Sequence, residues 1–296
     1  IDLLLLFKSK AKNRLDTVVE SIFYPLWDAG LEVGHSVRTV KTCMKDAAKD
    51  FFFQVALLDS RPLAGSKNLY NDLTKKYKKK FIDGRRQYFL QQMTNHRDER
   101  HHRFGKHSYL LEPQIKESRG GVRDIQALIW TADVLFGLKG LGPIKDAGLI
   151  SSSELQNFEK AWDFLIRIRN RLHYLSGRKN DQLFFEHQEE ISKAFKYRKT
   201  KNLLGVEQFM RDLYSHMQTV ALLTDLFFEH VDEVINKKPL TAFHPREKKL
   251  EPGIVSRKEI IHLATPDTLP KKPELLFRIL AQSAKTGMPI HHRTRK

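Results

Sequence analysis

The sequence predicts an α+β fold, mostly α, with a small mixed α/β unit at the start and a large helical-bundle domain after it. Three observations carry that expectation. The opening "IDLLLLF" is a continuous apolar run between Asp2 and Lys8, of the kind found in strands buried on both faces. Strand signals nearly vanish after residue 65. Two long stretches then repeat apolar residues at helical spacing, Leu155, Phe158, Trp162, Leu165, Ile168 and Leu172 in one, and Phe209, Met210, Leu213, Met217, Val220, Leu223 and Phe227 in the other.

Taken in order, the first strand is followed by an amphipathic helix. Leu15, Val18, Val19, Ile22, Phe23 and Leu26 form its apolar stripe, and Gly30 closes it. "LEVGHSVRT" alternates and reads as a second strand, with Ser36 and Arg38 on one face and His35 on the other. A short helix runs to Lys49. "FFFQVALL" is then a third strand, or a strand running into a helix, with Asp50 as the turn residue before it.

Residues 66–104 read as one or two helices with a very basic face that includes "KKYKKK". "YLLEPQIKESRGGVRDIQALIW" begins as a strand-like run at Tyr109–Leu111, crosses a charged cluster at a glycine pair, and enters a helix at Val122. The next long helix has Ser152 or Ser153 as its cap, Glu154 in its first turn and Gly177 after its end. Six prolines between 239 and 273 mark an irregular, linker-like stretch with short helical pieces, and "PELLFRILAQSAKTG" is a final helix. The expected boundaries are 1–65 for the mixed unit, 66–235 for the helical domain and 236–296 for the linker and terminal helix.

Composition narrows the function. Lys and Arg outnumber Asp and Glu by 52 to 35, a formal charge of +17, which predicts an anionic partner such as a phosphate-bearing ligand, nucleic acid or an acidic protein surface. The single cysteine, Cys43, excludes an internal disulfide framework and a cysteine-type zinc cluster, and it fits a reducing cytosol. No run approaches the roughly 18 apolar residues of a membrane span. Ile1 starts the chain inside a strand, so the polypeptide is expected to extend upstream.

Two places could carry chemistry. Asp2 heads the apolar strand, where a rigid backbone can hold a carboxylate on a metal ion, and Asp50 is its candidate partner, with Glu32 behind it. Each is also an ordinary turn residue. At the glycine pair, Gly120 and Gly121 let the backbone approach a ligand at a helix start, where N–H groups attract anions. Lys116 and Arg123 could add charged hydrogen bonds, and Asp124 sits where the helix dipole favours an acid. Taken alone, the segment reads first as a capped loop and only second as a site. His96, His101, His102 and His107 show no metal-ligand spacing with a carboxylate, and no HExxH, GxSxG or GxxxxGK[ST] occurs.

Five segments in register carry a resemblance. "SIFYPLWDAGLEVGHSVRT", "ALLDSRPLAG", "YLLEPQIKESRGGVRDIQALIW", "RNRLHYLSGRKNDQLFFEHQ" and "FMRDLYSHMQTV" together resemble the bacterial PII uridylyltransferases, the bifunctional uridylyltransferase/uridylyl-removing enzymes of nitrogen regulation. The resemblance implies a partial nucleotidyltransferase-fold sheet followed by that family's helical domain. It implies that Asp2 is the second metal-binding Asp of the strand, that the Gly-Ser turn and first Asp lie upstream of Ile1, and that HD and ACT domains lie downstream. "KESRGG" departs from the family pattern in placing Ser118 at a glycine position.

The expected function follows from that resemblance. It is Mg²⁺-dependent transfer of UMP from UTP to a tyrosine of the PII signal protein, in the cytoplasm. Asp2 and Asp50 would hold metal, and Ser36, Arg38, Lys116, Gly120, Gly121 and Arg123 would line the nucleotide. The partners would be UTP and PII, with neither membrane nor nucleic acid. The alternatives are an adenylyltransferase of the glutamine synthetase type and a non-catalytic anion-binding or scaffold module.

Overall fold

A computed structural model describes residues 2–105, 110–235, 248–257, 260–264, 272–288 and 290. The fold is α+β and mostly helical, as the sequence predicts. The chain forms two compact units, Ile1–Ala221 and Leu222–Lys296.

The first unit opens with β1 (Asp2–Leu6), a 3₁₀ turn, α1 (Leu15–Asp28) and β2 (Gly34–Arg38). The two strands pair in parallel, Asp2 against Gly34, Leu4 against Ser36 and Leu6 against Arg38. Pairs in register share a face, so the two sides of this sheet can be told apart. On one side His35 packs against Phe23 and Trp27 of α1, with ring centroids 4.9 and 5.1 Å away. On the other, Leu4 and Leu6 pack on a core made by α2 (Val40–Ala47), α3 (Phe51–Leu58), α4 (Lys67–Tyr77) and the π-helical turn Lys78–Ile82. Cys43, Ala47, Leu73 and Phe81 are at its centre. Asp2, Ser36 and Arg38 therefore lie on the α2 side. The β1 leucines are only half-buried, against the expectation of burial on both faces, because β1 pairs with β2 alone among the described residues.

"FFFQVALL" is the helix α3 and not a strand. Asp50 is its N-cap: one carboxylate oxygen accepts hydrogen bonds from the Phe52 and Phe53 backbone N–H groups at 2.8 and 3.2 Å. Two otherwise unpaired donors are satisfied there, which starts the helix. The basic stretch divides into α4 and α5 (Arg86–Phe104), both predicted as helical.

The rest of the unit is a helical assembly of α6 (Val122–Phe136), α7 (Leu141–Asp146), α8 (Ser152–Ser176), α9 (Phe185–Ala194) and the first part of α10 (Gly205–Ile235). The predicted apolar stripes are its core, with Phe158, Leu165, Ile168, Leu172, Phe209, Leu213, Met217 and Val220 all buried. The cap of α8 is Ser151 and not Ser152 or Ser153. Its hydroxyl accepts from the Glu154 N–H at 3.2 Å while the Glu154 carboxylate accepts from the Ser151 N–H at 2.7 Å. Only a residue three before Glu154 can close that reciprocal pair. Gly177 ends the helix in the left-handed conformation, as expected.

The second unit holds the end of α10, a three-stranded antiparallel sheet and α11 (Glu274–Thr286). The strands are β3 (Lys248–Glu251), β4 (Ile254–Arg257) and β5 (Ile260–Leu263). This sheet replaces the linker expected there. Pro252-Gly253 is its hairpin turn, with Gly253 at φ +86° as a type II turn requires. Ile254, Ile261 and Leu263 bury against Leu275 and Ile279 of α11, and Arg278 donates to Glu251 at 2.7 Å. Pro239, Pro245, Pro266 and Pro270 lie outside the described residues.

Candidate functional site

At the sheet, Asp2 is exposed at the head of β1. Arg38 is committed to the fold: it forms an ion pair with Asp46 of α2 and lies over the Phe53 ring, 4.6 Å from its centroid. Asp50 gives one oxygen to the α3 cap. Among the described residues no three His, Cys, Asp or Glu side chains gather where they could hold a metal ion. Asp2 and Asp50 are thus too small a donor set to hold Mg²⁺ by themselves.

The second site is the loop 112–121, between α5 and α6. The strand-like run expected before it is not a strand at Leu110 and Leu111, and Tyr109 lies outside the described residues. The loop is fixed from within. The Gln114 side-chain oxygen accepts from the Lys116 N–H at 2.9 Å and from the Glu117 N–H. Ser118, fully buried, donates from its hydroxyl to the Phe104 carbonyl and accepts from the Gln114 N–H, both at 3.1 Å. That explains a serine here, since a glycine could make neither bond. From outside, the Ile115 N–H donates to the Asp181 carbonyl at 2.8 Å, and the Leu183 N–H to the Pro113 carbonyl at 3.0 Å.

The glycine pair is dictated by backbone crowding. A Cβ on Gly120, whose φ is +79°, would lie 2.0 Å from the Met217 carbonyl oxygen of α10. A Cβ on Gly121 would lie 2.7 to 2.8 Å from three carbonyl oxygens of its own loop. The start of α6 also differs from the expectation of unsatisfied donors. The Val122 N–H donates to Ile115 and the Arg123 N–H to Lys116, at 3.1 and 2.9 Å. Those donors are used by the loop, so anion attraction at this point rests on side chains.

Asp124 has no solvent exposure. Its carboxylate accepts from the Gly120 N–H at 2.7 Å, from His101 Nε2 at 2.9 and 3.1 Å, and from Arg100, with Arg97 Nε 3.7 Å away. Burial alone would raise its pKa. The His101 hydrogen bond and the Arg100, His101 and Arg97 charges outweigh burial and hold the carboxyl well below the usual range. His101, which shows no metal-ligand spacing in the sequence, is instead a hydrogen-bond partner of a buried carboxylate. His107 lies outside the described residues. A second such set flanks the loop: Asp181 accepts from Arg169 Nε at 2.8 Å and from His173 at 3.0 Å. Both sets use Arg and His four apart on one helix, Arg97 with His101 and Arg169 with His173. That spacing is visible in the sequence, but the aspartates they reach are not.

Around Glu117 the cations gather. Lys116 Nζ is 3.6 Å and an Arg123 nitrogen 3.4 Å from the same Glu117 oxygen, and Arg100 donates to the Glu117 carbonyl at 2.7 Å. Arg123 also donates to Gln126 at 2.9 Å and lies 5.6 Å from the Trp130 ring centroid. Burial, then the nearby Arg123, lower the Lys116 pKa. The structure therefore brings Lys116, Gly120, Gly121 and Arg123 together, and it places Asp2, Ser36 and Arg38 on one face of the sheet.

Residues 88–228, which hold this loop and both of its grips, match the family model of the GlnD PII-uridylyltransferase. Over those residues the chain is similar to the PII uridylyltransferases. Three proteins named bifunctional uridylyltransferase/uridylyl-removing enzyme align over 98% of the chain. They come from Cereibacter sphaeroides at 35% identity, Ruegeria pomeroyi at 32% and Rhodopseudomonas palustris at 30%. The chain spans 32% of the length of each. No solved structure matches. The resemblance read from the five sequence segments is to this same family. No helix among the described residues is long and apolar enough to cross a membrane.

Proposed function

We propose that this chain is part of a nucleotidyltransferase that moves UMP from UTP to a tyrosine hydroxyl of the PII signal protein and releases pyrophosphate, in the cytoplasm. The observation that carries the proposal is alignment over 98% of the chain with proteins named for uridylyl transfer. In this reading Asp2 faces the α-phosphate side of the nucleotide. Asp50 contributes the oxygen not used in the α3 cap, and Ser36 and Arg38 line the same sheet face. Lys116 and Arg123 meet phosphate oxygens, from a loop that Gly120 and Gly121 allow to sit against α10. Magnesium, when bound, would neutralise phosphate charge. It needs a further carboxylate, at the position the resemblance implies upstream of Ile1. The contribution of the described residues is positioning and charge stabilisation.

The test is labelling of PII by the full-length protein with UTP, and with ATP as the rival donor. UMP should appear on PII with UTP alone, and Asp2→Asn should abolish it. Full activity of Asp2→Asn would sink the metal assignment. Labelling from ATP alone would favour the adenylyltransferase alternative.

A further inference from the structure

The connection between α8 and α9, residues 177–184, has no helix or strand of its own, yet the loop 112–121 hangs on it. The Ile115 N–H donates to the Asp181 carbonyl at 2.8 Å and the Leu183 N–H to the Pro113 carbonyl at 3.0 Å, with Gln114 paired to Gln182 between them. The Asp181 side chain ties this connection to α8. Its buried carboxylate accepts from Arg169 Nε at 2.8 Å on one oxygen and from a second Arg169 nitrogen at 3.2 Å on the other, and from His173 at 3.0 Å. Arg169 and His173 stand one turn apart on α8, so the carboxylate is held from two points of one helix. The path runs on into the loop. The Ile115 carbonyl accepts from the Val122 N–H at 3.1 Å, and the carbonyl of Lys116, next in the chain, accepts from the Arg123 N–H at 2.9 Å. Lys116 and Arg123 also approach the same Glu117 oxygen, so the spacing of these two cations depends on where Ile115 is held.

We infer that Asp181, held by Arg169 and His173, is a positioning residue that acts through Ile115 to set Lys116 beside Arg123 for a phosphate chain. The inference deepens the nucleotidyltransferase reading and rests on it for the role of Lys116. Asp181 acts at one remove. Its own charge repels a phosphate, and what it contributes is the fixed place of the loop. Misplacing a group at such a site by about 1 Å can cost up to about 100-fold in rate.

A double-mutant cycle in the full-length protein, read by calorimetric titration with inorganic pyrophosphate, tests this. Lys116→Gln should weaken pyrophosphate by about tenfold, the value of one charge-assisted bond. Asp181→Asn removes a negative charge beside the loop, so charge alone would tighten pyrophosphate binding. Lost positioning should instead weaken it by about fivefold, and that weakening should vanish in the Lys116→Gln background. Asp212→Asn, which alters the carboxylate that accepts from Tyr197 at 2.9 Å, should leave the affinity unchanged. If Asp181→Asn does not fold, His173→Ala carries the same cycle. Tighter or unchanged pyrophosphate binding in Asp181→Asn would overturn the inference. So would a weakening that persists in full beside Lys116→Gln, an equal weakening in Asp212→Asn, or no effect of Lys116→Gln. If the cycle shows the coupling but no UMP passes from UTP to PII, the positioning stands and the transfer reading fails. If UMP passes while the two substitutions are additive, the transfer reading stands and the positioning fails.

Discussion

Asp124 shows how much a single residue can organise. A carboxylate without solvent exposure stays ionised only if its surroundings replace the lost water, and here a backbone N–H, a histidine and two arginines do so. Removing one member of such a set leaves the others buried without their counter-charge. Asp124→Asn should therefore destabilise the fold by about 3–5 kcal/mol, measured by urea unfolding. The pH dependence has a definite sign. The folded pKa lies below the unfolded value near 3.8, so the stabilisation is complete above that value and is lost as pH falls toward the folded pKa. Unfolding below pH about 4 should show a steep loss in the wild type and a shallower one in Asp124→Asn. Equal slopes would show that Asp124 is not the group responsible.

At the level of elements, helix ends decide much of what was legible. β1, α1 and β2 follow from apolar spacing alone. α3 does not, because eight nearly continuous apolar residues fit a strand or a buried helix equally, and only the Asp50 cap separates the two. β3 to β5 were hidden by prolines that read as linker punctuation, although Pro252-Gly253 is a turn within a sheet. Lys116 and Arg123 were legible as charge beside a glycine pair. Arg100 and Asp181 were not, since their approach to the loop is a matter of tertiary contact between residues far apart in the chain. The α8 capping box gives a direct measure of one helix end. Ser151→Ala should lower stability by about 1 kcal/mol, seen as a reduced Tm, whereas Ser153→Ala should not. Equal effects of the two substitutions would refute the assigned cap.

Over the whole molecule, a charge of +17 does not by itself select nucleic acid. The basic residues of α5 are partly turned inward: Arg97 and Arg100 serve a buried carboxylate and do not form an exposed stripe. In the run at 75–80 five lysines are exposed; Lys76 pairs with Asp72 and Lys80 donates to the Met44 carbonyl, which leaves Lys75, Lys78 and Lys79 to meet a phosphate backbone. Three phosphate contacts would give a log–log salt slope no steeper than about −3 for duplex DNA. A filter-binding series should find weak binding with at most that slope. A slope of about −6 or steeper would make nucleic acid a genuine partner and revive the anion-binding scaffold reading.

The 2.0 Å between a hypothetical methyl at Gly120 and the Met217 carbonyl has one more consequence. Loop and helix are seated against each other with less than a methyl group of clearance, so the loop cannot rise and fall as a flap without unseating from α10. The ordering entropy of its ten residues, on the order of 10 kcal/mol, is lost when the chain folds and not when a ligand arrives. A phosphate chain in the proposed site would meet a rigid floor, and its rate of capture should follow diffusion and charge, with no waiting time for the protein to close.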